Sequence, residues 1–150
     1  MRMCAAIALL LTVLSSVSLF AHCEIPCGIY GDDARFKSLA EDLKTIEKSM
    51  VQIQALSLDP GKNMNQLVRW VNNKETHADH IRDTISQYFL AQRIKAPATG
   101  DAAAVKDYTQ NLQLLHKMIV SAMKCKQTVD QKHVKELHDL LHKFQSSYQK

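Results

Sequence analysis

Leu39-Ala40-Glu41-Asp42-Leu43-Lys44-Thr45-Ile46-Glu47-Lys48-Ser49-Met50-Val51-Gln52-Ile53 is the stretch that decides the fold. Its large apolar residues, Leu39, Leu43, Ile46, Met50 and Ile53, recur at alternating spacings of four and three. That spacing lays one apolar stripe along a 3.6-residue helix and turns the charged residues to the other face. Gly31-Asp32-Asp33 precedes the pattern, where an acidic side chain can cap exposed amides and its charge suits a helix start. Asp59-Pro60-Gly61 follows, with turn chemistry that ends the helix.

The stripe recurs three times downstream. A second helix is predicted from about Met64 to Lys95, with Met64, Leu67, Val71, Ala78, Ile81, Ile85 and Tyr88 on one side and Lys74 interrupting them. Ala96-Pro97-Ala98-Thr99-Gly100 breaks the pattern, and Asp101 is placed to cap a third helix. That helix repeats the spacing through Val105, Tyr108, Leu112, Leu115, Ile119 and Ala122. After a short connection at Gln127-Thr128, the last helix aligns Val134, Leu137, Leu141, Phe144 and Tyr148. With no strand pattern, the expected fold is all-α, an up-down four-helix bundle preceded by a short amino-terminal hook. A chain of 150 residues suits one domain with a genuine core.

Residues 1–21 read as a leader that is removed, residues 22–31 as the hook and residues 32–150 as the bundle. Arg2 gives the leader a positive start, and Ala5 to Val13 is an apolar run too short to span a membrane. Ala21 is the small residue wanted at a cleavage point, although Leu19 is larger than the usual pattern. The mature protein is therefore expected to be exported, periplasmic or secreted, with no membrane anchor. The formal charge of +4 falls to +3 without Arg2, with 18 basic residues against 15 acidic. Lysines are spread through every segment and aromatics are few, which excludes a nucleic-acid surface and leaves at most weak steering of a small anion.

The hook is His22-Cys23-Glu24-Ile25-Pro26-Cys27-Gly28-Ile29-Tyr30. Thiolates are soft anionic donors and imidazole is a borderline nitrogen donor, so these residue types are metal ligands. Zinc sites usually pair one Cys-Cys knuckle with a second, distant pair, and no second knuckle exists here. The remaining donors must be local. Cleavage after Ala21 would free the α-amine of His22, beside the backbone nitrogen of Cys23 and the thiolates of Cys23 and Cys27. Fused chelate rings through amine, amide and Cys23 sulfur favour a planar arrangement, which points to nickel(II) or copper(II). The His22 imidazole is available as an axial ligand.

The string His-Cys-x-x-Pro-Cys-Gly-x-Tyr, carried by His22, Cys23, Pro26, Cys27, Gly28 and Tyr30, closely resembles the nickel hook of nickel-containing superoxide dismutases. The resemblance implies a four-helix bundle, one nickel ion per subunit and assembly as a homohexamer. It also implies disproportionation of superoxide to dioxygen and hydrogen peroxide by nickel(II)/nickel(III) cycling. His22, Cys23 and Cys27 become the metal ligands, with the His22 imidazole axial in the oxidised state. Tyr30 becomes a hydrogen-bonding residue at the open face. Glu24 stands where the family commonly has Asp, a conservative departure. The family's partners of the axial histidine are a carboxylate and an arginine. Glu41 and Arg69 are available for those parts, and Lys37 stands where an acid is expected.

Rival readings are an exported nickel- or copper-binding module without turnover, and a secreted bundle locked by a Cys23–Cys27 disulfide. A di-iron centre would need paired Glu-x-x-His motifs, which are absent, and Glu75-Thr76-His77 has the wrong spacing. His138 with His142, and His77 with His80, are expected to be partly solvated pairs rather than ligands. Cys125 is expected to be a buried helical thiol. Met50, Met64, Met118 and Met123 are expected to be packing residues.

Overall fold

The computed structural model describes residues 28, 29, 31–98 and 101–149, and among them every regular element is helical. Helix α1 spans Asp33–Leu56, α2 Pro60–Asp83, α3 Ala102–Gln127 and α4 Gln131–Tyr148. Helix α2 runs on into a π-helical segment, Thr84–Arg93. Helix α1 packs on α2 and α4, and α3 packs on α2 and α4, which closes a ring of four neighbours. With connections this short, that ring is the expected up-down bundle.

Local chemistry explains most boundaries. Asp101 caps α3, accepting from the N–H groups of Ala103 and Ala104 at 3.0 Å each. Asp130 caps α4 in the same way through Lys132. The second helix starts earlier than its apolar pattern. Asp59 caps α2 by accepting from the Lys62 N–H, and Pro60 occupies the first turn, where its missing donor and restricted φ cost nothing. The turn signal thus ends one helix and begins the next.

The core joins Leu39, Leu43, Ile46 and Met50 of α1 with Ala78, Ile81 and Ile85, and with Leu115, Met118, Val134, Leu137, Leu141 and Phe144. Phe36, Phe89 and Phe144 meet at centroid distances of 5.0–5.7 Å and extend this core toward the amino-terminal end of α1. Met64, Val71, Val105 and Met123 are exposed, so those two methionines do not pack in this bundle. Cys125 is buried and free, as expected. Burial pushes its thiol up to about 11, so it is a thiol and not a thiolate at neutral pH.

Lys74 does not interrupt the second stripe; it is buried. Its ammonium donates to the carbonyl oxygens of Cys125 and Lys126 and to Glu75. Those carbonyls belong to the last turn of α3, which has no intrahelical donors for them and carries partial negative charge. A lysine from α2 thereby caps α3.

Candidate metal centre

The predicted site residues His22, Cys23, Cys27 and Tyr30 lie outside the described residues, as do the leader and its cleavage point. The described chain begins at Gly28, immediately after Cys27, and its surroundings define how the hook joins the bundle.

Gly28 has φ +78°, a left-handed conformation that strains any residue with a Cβ. Its carbonyl accepts from the Gly31 N–H at 3.2 Å, which closes a turn into α1. A Cβ built at Gly28 would lie 2.5 Å from the Arg93 guanidinium carbon. The backbone conformation favours glycine here, and a side chain would also have to push the Arg93 guanidinium aside. The Gly28 N–H donates to the Tyr88 hydroxyl at 3.1 Å. Tyr88 in turn donates to Oδ1 of Asp32, and Tyr148 donates to Oδ2 of the same carboxylate. Arg93 donates from Nε to Asp32 Oδ2 and to the Tyr148 hydroxyl, both at 3.0 Å, and a second guanidinium nitrogen reaches Oδ2 at 3.0 Å. The guanidinium of Arg35 stacks over the Tyr88 ring, 4.5 Å from its centroid.

Three elements supply this cluster: the turn before α1 gives Asp32, the π-helical segment gives Tyr88 and Arg93, and α4 gives Tyr148. The π geometry matters because its i→i+5 bonds, such as Ile94 N–H to Phe89 O at 2.9 Å, widen the turn. Tyr88 and Phe89 within this segment are both buried. Burial by itself would raise the Asp32 carboxyl. Hydrogen bonds from Tyr148, Tyr88 and Arg93, with the charge of Arg93, outweigh it and hold the group below the ordinary carboxylate value. Burial raises the Tyr88 phenol, and the neighbouring carboxylate raises it further. The same two causes push Tyr148 up to about 12.

Sequence reasoning placed Asp32 at a helix entrance as a cap, but its side chain makes no capping bond; it is the acceptor at the centre of this cluster. A signal for it existed. Tyr88 and Tyr148 sit on apolar stripes, and a buried phenol needs a polar partner. The candidates Glu41 and Arg69 are both exposed, Arg69 beside Trp70 and Thr76 along α2. Lys37 is exposed too. The carboxylate and arginine that stand at Gly28 are Asp32 and Arg93. His138 and His142 are solvated as expected, with rings 4.5 Å apart. His77 and His80 are partly solvated, as expected, and both face the buried carboxylate of Asp42.

The residues fit a nickel hook. The residue types that the sequence places just before Gly28, two cysteines and a histidine, offer soft and borderline donors suited to that metal. The left-handed, side-chain-free residue after Cys27 lets the chain turn tightly against Arg93. No helix among the described residues is long and apolar enough to cross a membrane. No curated protein and no solved structure matches the chain. A family model described as nickel-containing superoxide dismutase matches residues 17–150, through the hook, the Gly28 turn and all four helices. The chain belongs to the nickel-containing superoxide dismutase family.

Proposed function

We propose that this nickel superoxide dismutase works at its amino-terminal hook, with His22, Cys23 and Cys27 holding the metal and Tyr30 serving the substrate. The observation that carries this reading is the anchoring of Gly28, the residue next to Cys27, to the Tyr88–Asp32–Arg93 cluster. A metal site on a free amino-terminal tail needs such an anchor, since ordering loose chain costs about 1–2 kcal/mol per residue. The leader is removed after Ala21 during export, and the α-amine of His22 becomes a ligand.

The reaction takes two superoxide anions and two protons to one dioxygen and one hydrogen peroxide. One superoxide loses an electron, and the other gains it together with both protons. Bound nickel supplies the one-electron relay, because thiolate and amide donors bring its trivalent state within reach. Cys23 and Cys27 serve as thiolates. The His22 imidazole would be a further ligand that favours the oxidised state. The Tyr30 hydroxyl donates a hydrogen bond that orders superoxide or water without ligating. Pro26 restricts φ within the hook and removes a backbone donor. Arg93 is largely compensated by Asp32, so its part is to hold the hook's exit rather than to attract substrate. The exposed Met64, Val68 and Val71 share one face of α2, which supports assembly into the family's hexamer.

The test compares wild type with Cys23→Ser, Cys27→Ser and His22→Gln by nickel content, circular dichroism and superoxide decay after pulse radiolysis. Both serine variants should lose nickel and activity while staying helical. His22→Gln should keep nickel and lose most turnover. A serine variant that keeps nickel and full activity would put the metal elsewhere. A mature chain beginning at Leu19, fully active with nickel, would remove the α-amine from the ligand set.

A further inference from the structure

Asp42, on α1, is buried to 6% exposure, and its carboxylate is met by two imidazoles from α2. Nδ1 of His77 lies 2.6 Å from Asp42 Oδ1, and Nδ1 of His80 lies 3.6 Å from the same oxygen. His77 and His80 are one helical turn apart, so their rings stack along one face with centroids 5.5 Å apart. One donor atom from each of the three residues falls within 4.8 Å of the other two. His77 is half-buried and His80 exposed, and the cluster opens at a depression that Asp83 also lines. It stands about 15 Å along α1 from Asp32, at 1.5 Å per residue.

We propose that Asp42, His77 and His80 form a second cation site, separate from the hook, for a late first-row divalent ion of the zinc type. Two neutral imidazoles and one carboxylate are borderline donors, which suit zinc, copper or nickel better than magnesium or calcium. Hydrogen bonding alone does not account for the arrangement. An ionised carboxylate has about four acceptor positions, His77 fills one, and His80 is too distant to fill another. An ion with bonds of about 2.0–2.2 Å would take the place of the proton between His77 and Asp42 and draw the exposed His80 inward. Three protein ligands with open solvent positions make an exchangeable site. It would also tie α1 to α2.

The test titrates zinc ion into nickel-loaded protein by calorimetry, with the nickel content of the same sample measured afterwards. One equivalent of zinc should bind without displacing nickel. His80→Ala, an exposed position whose folding circular dichroism would verify, should weaken this binding by more than about tenfold. Asp42→Asn should do the same, whereas a His138→Ala/His142→Ala double variant should bind zinc as wild type does. Superoxide turnover and hook nickel should be unchanged in His80→Ala. The proposal is overturned if wild type takes up no zinc beyond its nickel, if His80→Ala still binds it equally, or if binding is lost in the His138/His142 control. Loss of hook nickel in His80→Ala would overturn the separateness of the site while leaving the hook reading intact.

Discussion

Asp32 and Asp42 stand ten residues apart at the start and middle of the same helical stretch, and each is 6% exposed. Equal burial has produced two different devices. Asp32 is saturated by two phenols and a guanidinium, donors that keep their protons across the neutral range. Asp42 faces two imidazoles, groups that can exchange a proton for a metal ion. The difference teaches that the identity of the surrounding donors, rather than depth, decides whether a buried carboxylate clamps chain segments or offers itself as a ligand.

Asp32→Ala should have the largest effect on stability. It strands two phenols and Arg93 at the junction of the hook, the π-helical segment and α4, and should cost about 3 kcal/mol in urea unfolding. Turnover should fall with it, because Gly28 loses its anchor through Tyr88. An equal loss in Asp42→Ala would break the distinction between the two carboxylates.

Gly28→Ala comes next. Left-handed backbone costs a residue with a Cβ about 1–2 kcal/mol, and the new methyl would meet the Arg93 guanidinium. The strain falls at the hook's exit, so nickel retention and superoxide decay should suffer more than the urea midpoint. The reverse ranking would show that Gly28 serves the bundle alone.

The pH dependence should be milder and two-sided. Asp32 has a folded value below its ordinary 3.8, so its contribution is present above that value and is lost as pH falls through the folded one. Tyr148 is raised from 10.0 to about 12, so its contribution is complete below pH 10 and is lost as pH rises toward 12. Urea midpoints across pH should show the acid slope flattened in Asp32→Asn and the alkaline slope flattened in Tyr148→Phe. Unaltered slopes in both variants would mean that neither group's ionisation is linked to folding.

His80→Ala should have the smallest effect, under about 0.5 kcal/mol without added metal, because the side chain is exposed. Its thermal unfolding should then fail to rise with added zinc, where wild type gains stability by mass action. A large metal-free loss would mean that the imidazole is a structural strut.

Much of this was open to reading from residue order. The four apolar stripes named the helices, Asp101 was recognised as a cap, and the resemblance to nickel-containing superoxide dismutases agrees with the family match. The misreadings share one cause. Lys74 passed for an interruption and Asp32 for a cap, because each has its decisive partner 51 to 116 residues away. Periodicity says which way a side chain faces but not what faces it.

Helix formation, the choice of an all-helical bundle and the donor chemistry of the hook depend on local spacing and residue type, so they are written into the order of the residues. The pairing of Asp32 with Tyr88, Tyr148 and Arg93, and of Asp42 with His77 and His80, depends on how rigid helices of given length pack side by side. The switch from α to π hydrogen bonding at Thr84 is of the same kind. The rarer i→i+5 pattern holds here within a segment whose Tyr88 and Phe89 are buried against the surrounding helices.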